Sequence, residues 1–160
     1  MTLFAWILFL LLMTLLFDNY LQKQENPNQV VETFQQNNQQ QVVLQRNRYG
    51  HYVANGSING FPVTFFLDTG ATDISIPEKI AKKANIEKGA PNQIYTANGI
   101  ITAYRTRLQK VALGNIVLRD VSGHINPNDK SDYVLLGMSF LKQVDFSQQG
   151  DKLILKQAYY

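Results

Sequence analysis

One stretch narrows the possible folds more than any other: Phe65-Phe66-Leu67-Asp68-Thr69-Gly70-Ala71-Thr72-Asp73-Ile74-Ser75-Ile76. An apolar run delivers a carboxylate, breaks at once into the small-residue turn Thr69-Gly70-Ala71, and is followed by a second apolar run. The pattern predicts two buried strands with an acid on the tight loop between them. A carboxylate brought close to a core is costly unless N–H or hydroxyl groups bond it, and Thr69, Gly70 and Ala71 are placed to supply them. Gly70 has the backbone freedom that such a turn requires.

Composition then removes whole function classes. At 160 residues, 45% hydrophobic and 17% charged, the chain has room for one domain and an appendage. Its net charge of +3 comes from scattered Lys and Arg, with no basic run interleaved with aromatics, which argues against a nucleic-acid partner. The absence of Cys excludes disulfides and thiolate chemistry. His51 and His124 are the only histidines and have no metal-ligand spacing, so no metal site and no cofactor are expected. Neither lies in a nucleophile motif of the Ser-His-Asp kind.

The chain divides into three parts. Residues 1–18 are nearly unbroken hydrocarbon, and Thr2 to Phe17 as a helix rises about 24 Å, short of the ~30 Å bilayer core but able to span it with local thinning. The segment lacks the basic start and small-residue exit of a cleaved signal peptide, so it reads as an uncleaved transmembrane anchor. Its flanking charges, Asp18, Lys23 and Glu25, are too few and mixed to set an orientation. Residues 19–45, centred on Gln35-Gln36-Asn37-Asn38-Gln39-Gln40-Gln41, read as a flexible linker, because such a tract buries too little apolar surface to offset its ordering entropy. Residues 46–160 form the folded domain.

Within that domain β signals dominate. Strand-like runs at 48–54 and 57–65, separated by Asn55-Gly56, predict a hairpin leading into the Asp68 loop. Pro77 followed by apolar residues at helical spacing predicts one or two helical turns. Asn98-Gly99 between Gln93–Ala97 and Ile100–Tyr104 predicts a second hairpin, and Gly114-Asn115 a third. Tyr133–Leu136 is an apolar strand that breaks at Gly137 into a short helix, and Val144–Phe146 and Lys152–Leu155 flank a closing turn. The expected architecture is all-β: a closed, mostly antiparallel barrel with one or two short helices, preceded by the transmembrane helix.

An Asp-Thr-Gly tripeptide alone is a weak signal. Together, Gly50-His51-Tyr52, Ile58-Asn59-Gly60, Leu67-Asp68-Thr69-Gly70-Ala71, Thr96-Ala97-Asn98-Gly99 and Leu135-Leu136-Gly137-Met138-Ser139-Phe140-Leu141 resemble the bacterial membrane-anchored family of retropepsin-like aspartic proteases. The resemblance covers roughly Tyr49 to Leu155 and implies a homodimer that cleaves an extended polypeptide. It implies Asp68 as the catalytic acid, with Thr69 bonding across the dimer axis and Gly70 and Ala71 supporting the loop. Ala97, Asn98 and Gly99 would form the tip of a flap over the substrate, and Leu135, Leu136 and Gly137 would pack beneath the loop. With the anchor, it implies a single-pass protein of the bacterial inner membrane with a periplasmic catalytic domain.

The chemistry leads to the same dimer. One Asp68 is one carboxylate, whereas adding water to an amide needs a general base and a general acid. Two Asp68 side chains across a two-fold axis can share one proton, because like charges in contact cannot both stay ionised. Where retroviral enzymes carry an acid two places after the catalytic Gly and an Arg after the later Gly, this chain has Thr72 and Met138, so the ion pair bracing that dimer is absent. Two readings from other classes compete: a non-catalytic peptide-binding scaffold that keeps the fold, and a glycoside hydrolase pairing Asp68 with Asp132 or Asp145.

Overall fold

The computed structural model describes residues 2–36, 39–96 and 99–158. Eleven strands and three helices are found among them: α1 (Thr2–Glu25), β1 (Glu32–Gln36), β2 (Gln39–Gln45), β3 (Val53–Ile58), β4 (Phe61–Leu67), β5 (Ile74–Pro77), α2 (Glu78–Lys83), β6 (Pro91–Thr96), β7 (Gly99–Leu113), β8 (Ile116–Asn126), β9 (Tyr133–Leu136), α3 (Met138–Leu141), β10 (Asp145–Gln149) and β11 (Lys152–Ala158).

Strands β3, β4, β9, β5, β8 and β7 pair in that order, and β7 returns to β3 through Ser57↔Ala112 and Ile58↔Val111, so the sheet closes on itself as the sequence predicts. The β4–β9 and β5–β8 contacts are parallel and the others antiparallel. Phe65, Ile74, Ile76, Leu108, Ile125, Leu136 and Phe140 fill the interior and are fully buried. β7 is fifteen residues long: its second half belongs to the barrel, while Gly99–Ala103 pairs only with β6 and projects as a hairpin. That hairpin lies where Asn98-Gly99 predicts one; Ala97 and Asn98 lie outside the described residues.

The first hairpin turns at Asn59-Gly60, with φ of +52° and +85°, rather than at Asn55-Gly56. Both dipeptides carry the same turn signal, and packing decides between them. A Cβ on Gly56 would stand 2.4 Å from Ala112 O and 2.6 Å from the Phe65 ring, so Gly56 is the point where β7 closes against β3.

The 19–45 segment is a correction to the linker expectation. Among the described residues it carries the end of α1, β1 and β2, and β2 lies between β1 and β11 in a second sheet of order β1-β2-β11-β10. Val42, Val43 and Leu44 are buried and oppose Leu155, Ile154 and Leu153. The averaged composition hides this three-residue apolar centre, and the flanking glutamines bond a ladder through their backbones like any other residue.

The junction after α1 is built as a polar clamp. Asn28, 3% exposed, donates from Nδ2 to Gln45 O (2.9 Å) and Val53 O (2.7 Å) and accepts from Gln45 N–H at Oδ1 (2.7 Å). Asn26 donates to Asn55 Oδ1 (2.8 Å), which also accepts from the Thr64 hydroxyl (3.1 Å). The last carbonyls of α1 are bonded from the domain: Gln24 O accepts from Arg48 N–H, and Glu25 O from Asn47 Nδ2 (3.0 Å). Buried amides left unpaired would cost about 1–3 kcal/mol each, so this network holds only when the helix end and domain are docked together. α1 is exposed from Leu3 to Tyr20, and Leu3–Glu25 is apolar and long enough to cross a bilayer by length and composition.

Replacing Gly56 by Ala forces the β3–β7 closure apart and is expected to lower stability by about 1–3 kcal/mol, read as a shifted denaturation midpoint with unchanged slope.

Candidate active site

Strand β9 lies between the two strands that flank the Asp68 loop, parallel to β4 and antiparallel to β5. The loop, residues 68–73, therefore arches over the C-terminal end of β9. Asp68 N–H donates to Leu136 O (3.2 Å), and Leu67 N–H to Tyr52 O (3.0 Å). Beyond β9, the first amides of α3 reach back: Met138 N–H donates to Ala71 O (2.8 Å) and Ser139 N–H to Thr72 O (2.9 Å). The two sequence motifs thus form one hydrogen-bonded unit, with Leu135, Leu136 and Gly137 directly beneath the loop.

Gly137 is there for lack of a side chain. A Cβ would stand 2.4 Å from Asp73 O and 2.6 Å from Ala71 O. Its backbone is extended, so close approach rather than an unusual φ excludes other residues. Ser139, which the sequence reading did not single out, ties the second half of the loop: its buried hydroxyl accepts from Ile74 N–H (3.1 Å) and donates to Ser122 O (2.8 Å). A small hydroxyl two residues after a Gly beneath an acidic loop was the available signal.

The carboxylate is partly exposed, and Gly70 N–H donates to its Oδ1 at 2.8 Å. Ala71 N–H bonds the Asp68 carbonyl rather than its side chain (3.3 Å), and Thr69 is exposed with no in-chain partner for its hydroxyl among the described residues. Of the three expected donors, only Gly70 reaches the carboxylate within one chain. Among the described residues Oδ2 has no in-chain donor, so one oxygen is oriented and the other is open.

The other acids that the sequence offered do not join Asp68. Asp132 precedes β9 at the end opposite Leu136, and its exposed carboxylate is paired to Lys79 Nζ at 2.7 Å, which lowers its pKa. Asp145 lies on β10, in the other sheet. His51 is exposed with its ring 4.9 Å from that of Phe66.

A groove of about 1010 Å³ runs beside the loop, lined by Asp73, His124, Lys88, Arg105, Asn92 and neighbouring residues but not by Asp68. It borders β6 of the projecting hairpin through Asn92 and Ile94. Burial lowers the pKa of His124, partly opposed by the Asp73 carboxylate. The face carrying Asp68 itself is open in the single chain.

Comparison with known proteins agrees with this geometry. A family model described as "gag-polyprotein putative aspartyl protease" matches residues 54–143, more than half of the chain and the whole of the loop and its β9 support. The chain belongs to this family of retropepsin-like aspartic proteases. A solved retropepsin-like aspartic protease from Rickettsia conorii is 28% identical, covers 79% of this chain and 94% of its own, and superposes with a TM-score of 0.63. A solved EIAV protease in complex with the inhibitor HBY-793, 17% identical with a TM-score of 0.50, covers 62% of this chain and 92% of its own and shares the fold. Among curated sequences, an uncharacterised protein in the cobV 5′ region of Sinorhizobium sp. is 33% identical over 74% of this chain and 52% of its own length. An uncharacterised protein of Rickettsia prowazekii is 32% identical over 72% and 51% respectively. The chain thus spans about half the length of the curated relatives it matches.

Gly137→Ala is expected to lift the retropepsin-like loop from α3 and cost about 1–3 kcal/mol of stability. In amide exchange, the Met138 and Ser139 N–H groups should lose protection before the barrel strands do.

Proposed function

We propose that the chain is an aspartic endopeptidase that works as a homodimer, held by α1 in the bacterial inner membrane with its catalytic domain on the periplasmic side. The observation that carries this reading is the Asp68 carboxylate itself: Oδ1 held by the Gly70 N–H, Oδ2 open, on a loop braced by β9 and α3.

In the pair, one Asp68 is ionised and the other protonated. The ionised carboxylate takes a proton from water as its oxygen attacks the peptide carbonyl carbon. The protonated one gives its proton to the carbonyl oxygen, yielding a neutral tetrahedral diol. Proton return to the amide nitrogen then lets the C–N bond break, releasing an acid and an amine. The Gly70 N–H bond fixes the direction from which each carboxylate works, which is where such catalysis gains most from preorganisation. The exposed, unengaged Thr69 hydroxyl supports a bond to the partner's loop. An extended peptide lying between the loops would pair with the β6–β7 hairpin by strand addition, with Ala97, Asn98 and Gly99 at the tip above it.

Asp68→Asn tests the chemistry. Asn still accepts the Gly70 N–H bond, so the fold should be retained, but it cannot carry the proton. Cleavage of a mixed peptide library should fall by roughly a thousand-fold. Unchanged cleavage would end the proposal, while unchanged cellular function with cleavage abolished would favour the scaffold reading.

Thr72 and Met138 leave the dimer without a loop-bracing ion pair, so per-chain activity of the soluble domain should climb as concentration rises from nanomolar to micromolar. A constant per-chain rate across that range would contradict it.

A further inference from the structure

A tethered protease on a flexible linker could reach substrates across a wide volume, and this chain is not built that way. From the apolar run to the clamp, α1 continues without Gly or Pro through Asp18–Glu25, and at its end the carbonyls of Gln24 and Glu25 are bonded by Arg48 and Asn47. Asn26 and Asn28 then lock the following turn to β3 and to the end of β2. Among the described residues, hydrogen bonds run without a break from the end of the apolar helix into the catalytic domain.

The register converts this into a limit on reach. The eight helical residues Asp18–Glu25 rise about 12 Å. From Glu25 to Asn28 the chain can add at most about 10 Å. Asn28 bridges Ala54, Ala54 lies opposite Phe65, and Asp68 follows Phe65 by three residues, a displacement of about 14 Å across two strand spacings. Asp68 therefore lies within about 40 Å of the apolar boundary, whichever way the domain leans, and an extended polypeptide covers that distance in about a dozen residues.

We propose that the natural substrates are membrane-proximal segments of polypeptides held in or against the same bilayer, selected by the short reach of Asp68 from it. This rests on the peptidase reading above and on α1 spanning the membrane. Sites beyond a folded extracytoplasmic domain lie out of reach. Sites on long flexible tethers meet the enzyme at an effective concentration that falls as the tether lengthens.

The test uses the full chain in vesicles with two co-embedded reporters, one with its cleavable segment about ten residues from its span and the other with the same segment beyond a folded domain. A soluble peptide of the same sequence reports the chemistry alone. The native chain should cut the near site at least ten-fold faster than the far one. Inserting thirty Gly/Ser residues after Glu25 leaves Asn26, Asn28 and Asp68 in place but adds a tether of about 30 Å root-mean-square span. That variant should narrow the ratio to within about two-fold, with soluble-peptide cleavage unchanged. Equal cutting of both reporters by the native chain, or a ratio unmoved by the insertion, overturns the proposal while leaving the peptidase reading intact. Failure of every form to cut even the soluble peptide sinks the peptidase reading and this proposal with it.

Discussion

The structure depends on the exchange of backbone hydrogen bonds between the acidic loop and the strand-to-helix corner beneath it. Asp68 N–H to Leu136 O, Met138 N–H to Ala71 O and Ser139 N–H to Thr72 O hold the loop at both ends and in the middle. Leu136 and Ser139 are buried, so their carbonyl and amide would otherwise sit unpaired, and the loop gains its shape from that cost. Gly137 permits the approach, since any side chain there would collide with two loop carbonyls. A partly exposed carboxylate is thereby presented on a frame that does not rely on the carboxylate for its own stability.

The topology around that frame follows from the same requirement. Lying between β4 and β5, β9 pairs parallel with the first and antiparallel with the second, and a long excursion separates β5 from β9. That excursion comprises α2, the projecting hairpin and β8, and the polar groove that Asp73 lines borders the hairpin's β6. Support, cover and groove are successive parts of one connection.

The sequence made the site more legible than its surroundings. Asp68, Gly70 and the Leu135-Leu136-Gly137 corner could be read because their roles depend on residue type at fixed spacing: an acid, a glycine where the turn needs freedom, and another where two backbones touch. Ser139 was less legible, since one hydroxyl in an apolar helix has no characteristic spacing. Asn55-Gly56 was misread as a turn because the dipeptide signal is local, whereas the contact with Ala112 and Phe65 that keeps Gly56 in a strand is made by residues far along the chain. The glutamine-rich segment was misread for a related reason. Val42 and Leu44 find their cover in Leu155 and Leu153 more than a hundred residues later, and no window of composition contains both halves. Asn26 and Asn28 looked like ordinary linker residues, although Asn26 Nδ2 bonds Asn55 and the Asn28 amide is satisfied by Gln45 and Val53.

The second sheet carries one more implication. Its four strands, β1, β2, β11 and β10, join segments from either end of the catalytic domain. The backbone ladder between β2 and β11 thereby ties the start of the domain to its end, so neither can be trimmed without unpairing the other. Val42 and Leu44 would lose the cover of Leu155 and Leu153 if β11 were clipped away, so damage at one terminus is felt at the other.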